Sequence, residues 1–199
     1  MLLKEQWKEI RELTQKDLKV NLLSSFNRYQ EIKRFWIYEN NQWNLIDRSN
    51  LANWANPKKN DIYFIEEWDE ERKTELVKKD FMNTIKNGGS VFGVFLDNGE
   101  LIAFANLRIK FNEKNIRYLD LRQLHVSYEY RNKGLGKQLF QKCIEKANKL
   151  DIKRIFLSTN FSEETQYFYK SVGCVDTKEI DKQRSEEEPF DRQLEYILK

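Results

Sequence analysis

The chain is short of cysteine, proline, glycine and histidine, with two, two, seven and one among its 199 residues. Cys143 and Cys174 are too few for a disulfide framework and have no metal-type spacing, so free thiols, no metal and a reducing, cytoplasmic setting are expected. Long apolar runs are missing. Nothing approaches the roughly 20 residues that span a bilayer, and Met1 to Trp7 lacks the apolar core of a signal peptide. No membrane association is expected. With few prolines and glycines and no internal repeat, no linker divides the sequence. One domain over residues 1–199 is the expectation, large enough to bury its own core. An excess of one charge is also absent: 35 Lys and Arg face 32 Asp and Glu, for a net charge of +3. No basic stretch is interleaved with aromatics, which argues against nucleic acid as a partner.

Large aromatic side chains are abundant instead, at 14 % of residues with five Trp and nine Tyr. They suit a core of big side chains, an aromatic-lined substrate pocket, or both. Alternation over 7–13 predicts a first strand, and Thr14 a cap for a helix from Lys16 through Leu18, Val20, Leu22, Leu23 and Phe26 towards Tyr29. Residues 32–38 and 43–47 read as short strands joined by a turn at Glu39-Asn40-Asn41-Gln42, and 54–61 as a loop containing Pro57. Leu76, Val77, Phe81 and Ile85 give one apolar face to a helix over 71–87, stopped by Gly88-Gly89. Strands over 91–96 and 101–111 flank Asn98-Gly99, a strong hairpin signal. A strand over 116–126, a helix over 134–150, a strand over 154–159 and a helix around Tyr169 follow. Strands over 175–180 and 193–198 form a closing antiparallel pair, with Glu186-Glu187-Glu188-Pro189 as a loop between them.

Between the 116–126 strand and the 134–150 helix lies Arg131-Asn132-Lys133-Gly134-Leu135-Gly136-Lys137. Two glycines let this turn tighten until N–H groups converge at the helix N-terminus, where unpaired donors and the positive dipole end favour an anion. Strand, basic glycine turn and helix together make a pyrophosphate cradle. The ATP-type loop G-x-x-x-x-G-K-[S/T] does not fit: Arg131 stands at its first glycine and Gln138 follows Lys137. The dinucleotide pattern lacks its third glycine, with Leu139 in that place. What fits is Arg/Gln-x-x-Gly-x-Gly/Ala, as Arg131-x-x-Gly134-x-Gly136.

In this form the segment resembles motif A of the GCN5-related N-acetyltransferases, the GNAT superfamily. Its flanks extend the resemblance over roughly residues 116–174. Leu121 to Arg131 is similar to the family's strand leading into V-x-x-x-Y-R, and Phe168-Tyr169-Lys170-Ser171-Val172-Gly173-Cys174 to its F-Y-x-x-x-G-F. The resemblance implies an α/β (α+β) fold, a mixed, mostly antiparallel, splayed sheet of about seven strands flanked by helices. The 32–60 segment has no fixed family equivalent and reads as a hairpin and loop insertion near the acceptor site. The implied co-substrate is acetyl-CoA. Arg131, Asn132, Lys133, Gly134, Leu135, Gly136 and Lys137 would hold its pyrophosphate, and main-chain groups of Leu124, His125 and Val126 its pantetheine arm. The Val126 amide would polarise the thioester carbonyl. Asn160 is implied as a pantetheine or adenosine contact, although its spacing to Tyr169 is longer than in the common family form.

Acetyl transfer to an amine needs an uncharged nucleophile, a stabilised oxyanion and a proton for the leaving thiolate. In the register of the resemblance Tyr169 is that proton donor; its plainer reading is a packed aromatic in the Tyr167-Phe168-Tyr169 cluster. Asp120 takes the strand position where family members carry a glutamate or histidine base, often acting through water. The plainer reading is a surface pair with Arg122, worth about 0–1 kcal/mol, which would also lower the Asp120 pKa. His125 titrates near neutrality and is the second choice of base, though alternation puts it on the face opposite Asp120. Glu186 to Glu188 with Asp191 either attract a cationic amine or form a solvated loop. Cys143 lies on an apolar stripe and Cys174 stands where the family has a phenylalanine, so direct transfer in a ternary complex is expected. The function implied is N-acetylation of a primary amine on a small molecule or peptide. A non-catalytic acyl-CoA-binding module of the same fold is the alternative, and a homodimer is compatible with either.

Overall fold

The computed structural model describes residues 10–53 and 64–198. Its first elements are strands β1 (Arg11–Glu12), β2 (Gln30–Glu31), β3 (Arg34–Glu39), β4 (Gln42–Asp47) and β5 (Ile65–Glu66). Helices α1 (Glu70–Glu75) and α2 (Met82–Lys86) flank a π-helical turn, Leu76–Phe81. Then come β6 (Ser90–Phe95), β7 (Leu101–Phe111), β8 (Arg117–Val126), α3 (Leu135–Lys149), β9 (Arg154–Thr159) and α4 (Glu163–Ser171). β10 (Val175–Asp176), α5 (Lys182–Glu187) and β11 (Arg192–Ile197) complete the order. The residues group into two compact units. Among the described residues, 10–28, 67–155 and 198 form the first, and 29–53, 64–66 and 156–197 the second. The expected mixed α/β class is the one observed, with β1–β6, β6–β7, β7–β8 and β10–β11 pairing antiparallel.

In the first unit β1, β6, β7 and β8 lie side by side in that order. Alternation along β7 sends Phe104, Asn106 and Arg108 to one face and Ala103, Ala105 and Leu107 to the other. Phe104 is fully buried, its ring 5.3 Å from that of Phe26 and 5.0 Å from that of Phe81. On α3, buried Leu135, Leu139, Phe140, Cys143 and Ala147 recur at helical spacing and form the stripe that packs on β7 and β8. Both cysteines are free and buried.

The predicted 71–87 helix runs from Glu70 to Lys86, with the π turn in its middle. Asp69 caps it, its carboxylate accepting from the Arg72 N–H at 2.7 Å. At its end Gly89 is needed for space: a Cβ there would lie 2.5 Å from the Leu107 carbonyl oxygen. The helix expected from Lys16 towards Tyr29 is not formed. Only a 3-10 turn over Gln15–Asp17 appears, followed by turns such as Leu22 N–H to Lys19 C=O at 3.0 Å. Val20, Asn21, Ser24, Ser25 and Asn27 are weak helix formers, and the segment is held by buried Leu23 and Phe26 in the core. Of the first predicted strand, Arg11–Glu12 is observed and residues 7–9 lie outside the described residues.

In the second unit β3 and β4 form the predicted hairpin, turning through Asn40 and Asn41, both at positive φ (54° and 61°). A two-residue turn of this kind matches the twist of its strands. The predicted 54–61 loop lies outside the described residues. Phe35 packs edge-on to Phe161 with rings 5.4 Å apart, within a cluster that includes Ile32. β9, β11 and β10 follow one another, β10 shorter than the predicted 175–180 strand. The acidic tract is not wholly a loop, because Glu186 and Glu187 end α5. Asp181 caps that helix (Arg184 N–H to Oδ1, 3.1 Å), and Arg184 reaches Glu188 at 3.5 Å. Among the described residues no helix is long and apolar enough to cross a membrane.

Candidate active site

The glycine turn connects β8 to α3 as the sequence predicts. A 3-10 turn over Tyr128–Tyr130 leads into Arg131, then Asn132 (φ 61°) and Gly134 (φ 83°) adopt left-handed backbone before α3 begins at Leu135. No side chain caps α3, and its first turn carries no acidic residue. The first intrahelical bond is Gln138 N–H to Gly134 C=O at 3.1 Å, so the N–H groups of Leu135, Gly136 and Lys137 precede the helical ladder. Left-handed residues followed by unladdered N–H groups form a concavity suited to an anion. Arg131 is tied back to the strand: its Nε donates to the Val126 carbonyl at 3.0 Å and its Nη2 to the Arg28 carbonyl at 3.3 Å. The Lys133 ammonium lies 5.5 Å from the Tyr130 ring centroid. Thus Arg131 fixes the turn to the end of β8, while Lys133 and Lys137 are exposed cations at its rim.

β8 pairs with β7 through Leu124, His125 and Val126, opposite Ala105, Phe104 and Ala103. Its register shifts once: Leu107 faces Leu121 while Asn106 faces Gln123, so Arg122 is an extra residue. This bulge overturns the expected placement of His125. Phe104, Asn106 and Arg108 share one face of β7, and they oppose His125, Gln123 and Asp120. His125 and Asp120 therefore project to the same side. The signal was in the sequence, since Leu119 and Leu121 are spaced by two, Leu121 and Leu124 by three, and Leu124 and Val126 by two again.

Asp120 is not the exposed member of a surface pair. It is 1 % exposed, with the Lys110 Nζ 3.6 Å from its carboxylate. Burial pushes its pKa above the ordinary carboxyl value, against the opposing pull of Lys110, Arg122 and Arg108. The expected lowering by Arg122 is outweighed, because desolvation is the largest contribution. A carboxylate in that state is a stronger base than a solvated one. His125 sits edge-on to the Trp68 ring at 5.0 Å and to Phe104 at 5.5 Å. Burial, reinforced by Arg28, Arg131 and Arg72, holds its pKa well below the usual histidine value, so the imidazole is neutral.

Tyr169 and Asn160 belong to the second unit. Tyr169 lies on α4, 7 % exposed, its ring 5.0 Å from that of Phe168. Asn160 organises the start of that helix: its Oδ1 accepts from the Ser162 hydroxyl at 2.9 Å, and its Nδ2 donates to Gln30 at 3.3 Å. Ser162 in turn caps α4 through the Thr165 N–H at 3.2 Å. Burial pushes the thiols of Cys143 and Cys174 up to about 12, which makes neither a nucleophile near neutrality.

Sequence reasoning missed Asp80. It lies in the π turn, where its carboxylate meets Arg108 at 3.2 Å and accepts from Gln123 Nε2 at 3.0 Å. Gln123 in turn accepts from Asn106 Nδ2 at 2.6 Å. No local pattern announces a π turn, since its apolar spacing differs little from that of an α-helix.

Solved structures share this fold at low identity. A Bacillus anthracis protein assigned as a streptothricin acetyltransferase, solved with acetyl coenzyme A, aligns with a TM-score of 0.63 at 18 % identity over 96 % of both chains. A nourseothricin acetyltransferase aligns at 0.56 with 14 % identity over 96 % of both chains. Arabidopsis thaliana Naa50, bound to the bisubstrate analogue CoA-Ac-MVNAL, aligns at 0.53 with 15 % identity over 96 % of this chain and 98 % of its own. No curated protein matches by sequence. Residues 49–174 match the Acetyltransferase (GNAT) family, and by that match over more than half its length the chain belongs to the GNAT acetyltransferases.

Proposed function

We propose that the chain is an acetyl-CoA-dependent N-acetyltransferase that acylates a primary amine of a small molecule or peptide by direct transfer in a ternary complex. The observation that carries this reading is the uncapped α3 N-terminus behind a left-handed Gly134. The N–H groups of Leu135, Gly136 and Lys137, with Lys133 and Lys137 at the rim, receive the CoA pyrophosphate. Leu124, His125 and Val126 of β8 align the pantetheine arm by main-chain groups, and the Val126 amide polarises the thioester carbonyl. The amine nitrogen attacks that carbon and gives its proton to Asp120, directly or through water. As the carbon–sulfur bond breaks, Tyr169 protonates the thiolate. Asn160, whose Oδ1 accepts from the Ser162 hydroxyl at the start of α4, contacts the pantetheine or adenosine end of the cofactor.

The raised Asp120 carboxyl supports its role as the base, and neutral His125, on the same face, packs as an aromatic against Trp68 and Phe104. The acceptor class rests on the family and on neighbours of which one is assigned as a streptothricin acetyltransferase and another is bound to the bisubstrate analogue CoA-Ac-MVNAL. The test is release of free thiol from acetyl-CoA across a panel of small amines and peptide N-termini. Amine-dependent release that is lost in Asp120→Asn supports the reading. Tight CoA binding with no release by any amine would identify a non-catalytic module instead.

A further inference from the structure

We propose that Asp80 is a positioning residue: the π turn presents its carboxylate to Arg108 and Gln123, and so keeps the Arg108 guanidinium off Asp120, its opposite number on the next strand. This rests on the reading of Asp120 as the base. The geometry is local to one unit. Arg108 and Asp120 are register partners on β7 and β8, so an unrestrained guanidinium would fold directly onto the carboxylate across the ladder. It is instead drawn to Asp80 at 3.2 Å, with both side chains about a quarter exposed (28 % each). The second Asp80 oxygen accepts from Gln123 at 3.0 Å, and Asn106 holds Gln123 at 2.6 Å.

Two irregularities meet to make this contact. The π turn allows Phe81 to fill the core against Phe104 while its neighbour Asp80 reaches the sheet. The β8 bulge turns Gln123 to the face that Asp80 covers. In an unbulged strand Gln123 would point away. The charged groups acting on Asp120 are then Lys110 and Arg108 from β7 and Arg122 from its own strand. Asp80 acts on one of these, Arg108, while Lys110 lies 3.6 Å from the Asp120 carboxylate.

The experiment reads Asp120 itself by carbon-13 NMR titration of the aspartate carboxyls, with Asp120→Asn identifying its signal. Asp80→Asn should release Arg108 and lower the Asp120 midpoint by about one unit, the lower end of the effect of an adjacent opposite charge. Arg108→Gln should raise it, the double variant should behave as Arg108→Gln alone, and Asp80→Glu should restore the native midpoint. An Asp120 midpoint unchanged in Asp80→Asn overturns the proposal. If that variant does not give a native spectrum, Asp80→Ser is read in its place, and an unchanged Asp120 midpoint there overturns the proposal equally. Failure of the base reading shows separately, as unchanged acetyl-CoA thiol release in Asp120→Asn.

Discussion

Replacing Gly134 by alanine isolates the backbone conformation of the cradle from every other property of the site. Gly134 has φ +83°, where an L-residue is strained, yet the nearest atom to an added Cβ is Gln138 Nε2 at 3.9 Å. Clash therefore contributes nothing, and the cost is the left-handed strain alone, about 1–2 kcal/mol. In a chain of this size each kcal/mol lowers Tm by about 2–4 °C. Relief of that strain rotates the residue out of the left-handed region and disperses the N–H groups of Leu135, Gly136 and Lys137. CoA affinity should then fall about tenfold, equivalent to about 1.4 kcal/mol. Asparagine tolerates this conformation better than alanine, so Gly134→Asn should recover much of the lost Tm. Thermal unfolding and calorimetric titration with CoA check both quantities. Wild-type Tm and Kd in Gly134→Ala, or equal losses in the alanine and asparagine variants, would refute the reasoning.

Tyr169→Phe should lower kcat by about 10²–10⁴-fold, the usual weight of a general acid, with CoA affinity unchanged by calorimetry; an unchanged kcat at saturating amine removes the phenol from the mechanism. Phe104→Ala should cost about 3–5 kcal/mol in urea unfolding, because the ring is fully buried against Phe26 and Phe81. His125 has its pKa depressed on folding, so the unfolded chain binds the extra proton as pH falls below about 6.5, and stability is lost in that direction at up to about 1.4 kcal/mol per pH unit. His125→Gln should flatten the slope between pH 6.5 and 4.5, above the range where carboxylates such as Asp17 (lowered to about 2) begin to protonate. Cys143 and Cys174, buried with thiols pushed up to about 12, should react with a thiol reagent at pH 8 only after denaturation.

Motif-bearing elements were legible because their signals are local. Asn98-Gly99 marks a turn by its dihedral preferences, the α3 stripe repeats at helical period, and Gly134 stands where only a left-handed residue ends the loop. Each depends on neighbours within a few positions of the chain. The segment after Thr14 misled for the opposite reason: Leu18, Leu22, Leu23 and Phe26 carry helical spacing, but burial of Leu23 and Phe26 holds them in successive turns. The acidic tract misled too, because the Asp181 cap and the Arg184–Glu188 pair outweigh the like charges beside them.

By itself the sequence determined the order of elements from the 71–87 helix to α4, the glycine turn between β8 and α3, and the family to which the chain belongs. Tertiary structure alone decided the electrostatics of the candidate base. The effective charge of Asp120 depends on how far burial desolvates it and on where Arg108 points. Both follow from a one-residue bulge and a π turn supplied by segments some forty positions apart, with Gln123 reaching Asp80. Periodicity reports which face a residue occupies only while the period is unbroken, and here the candidate base lies beside a break.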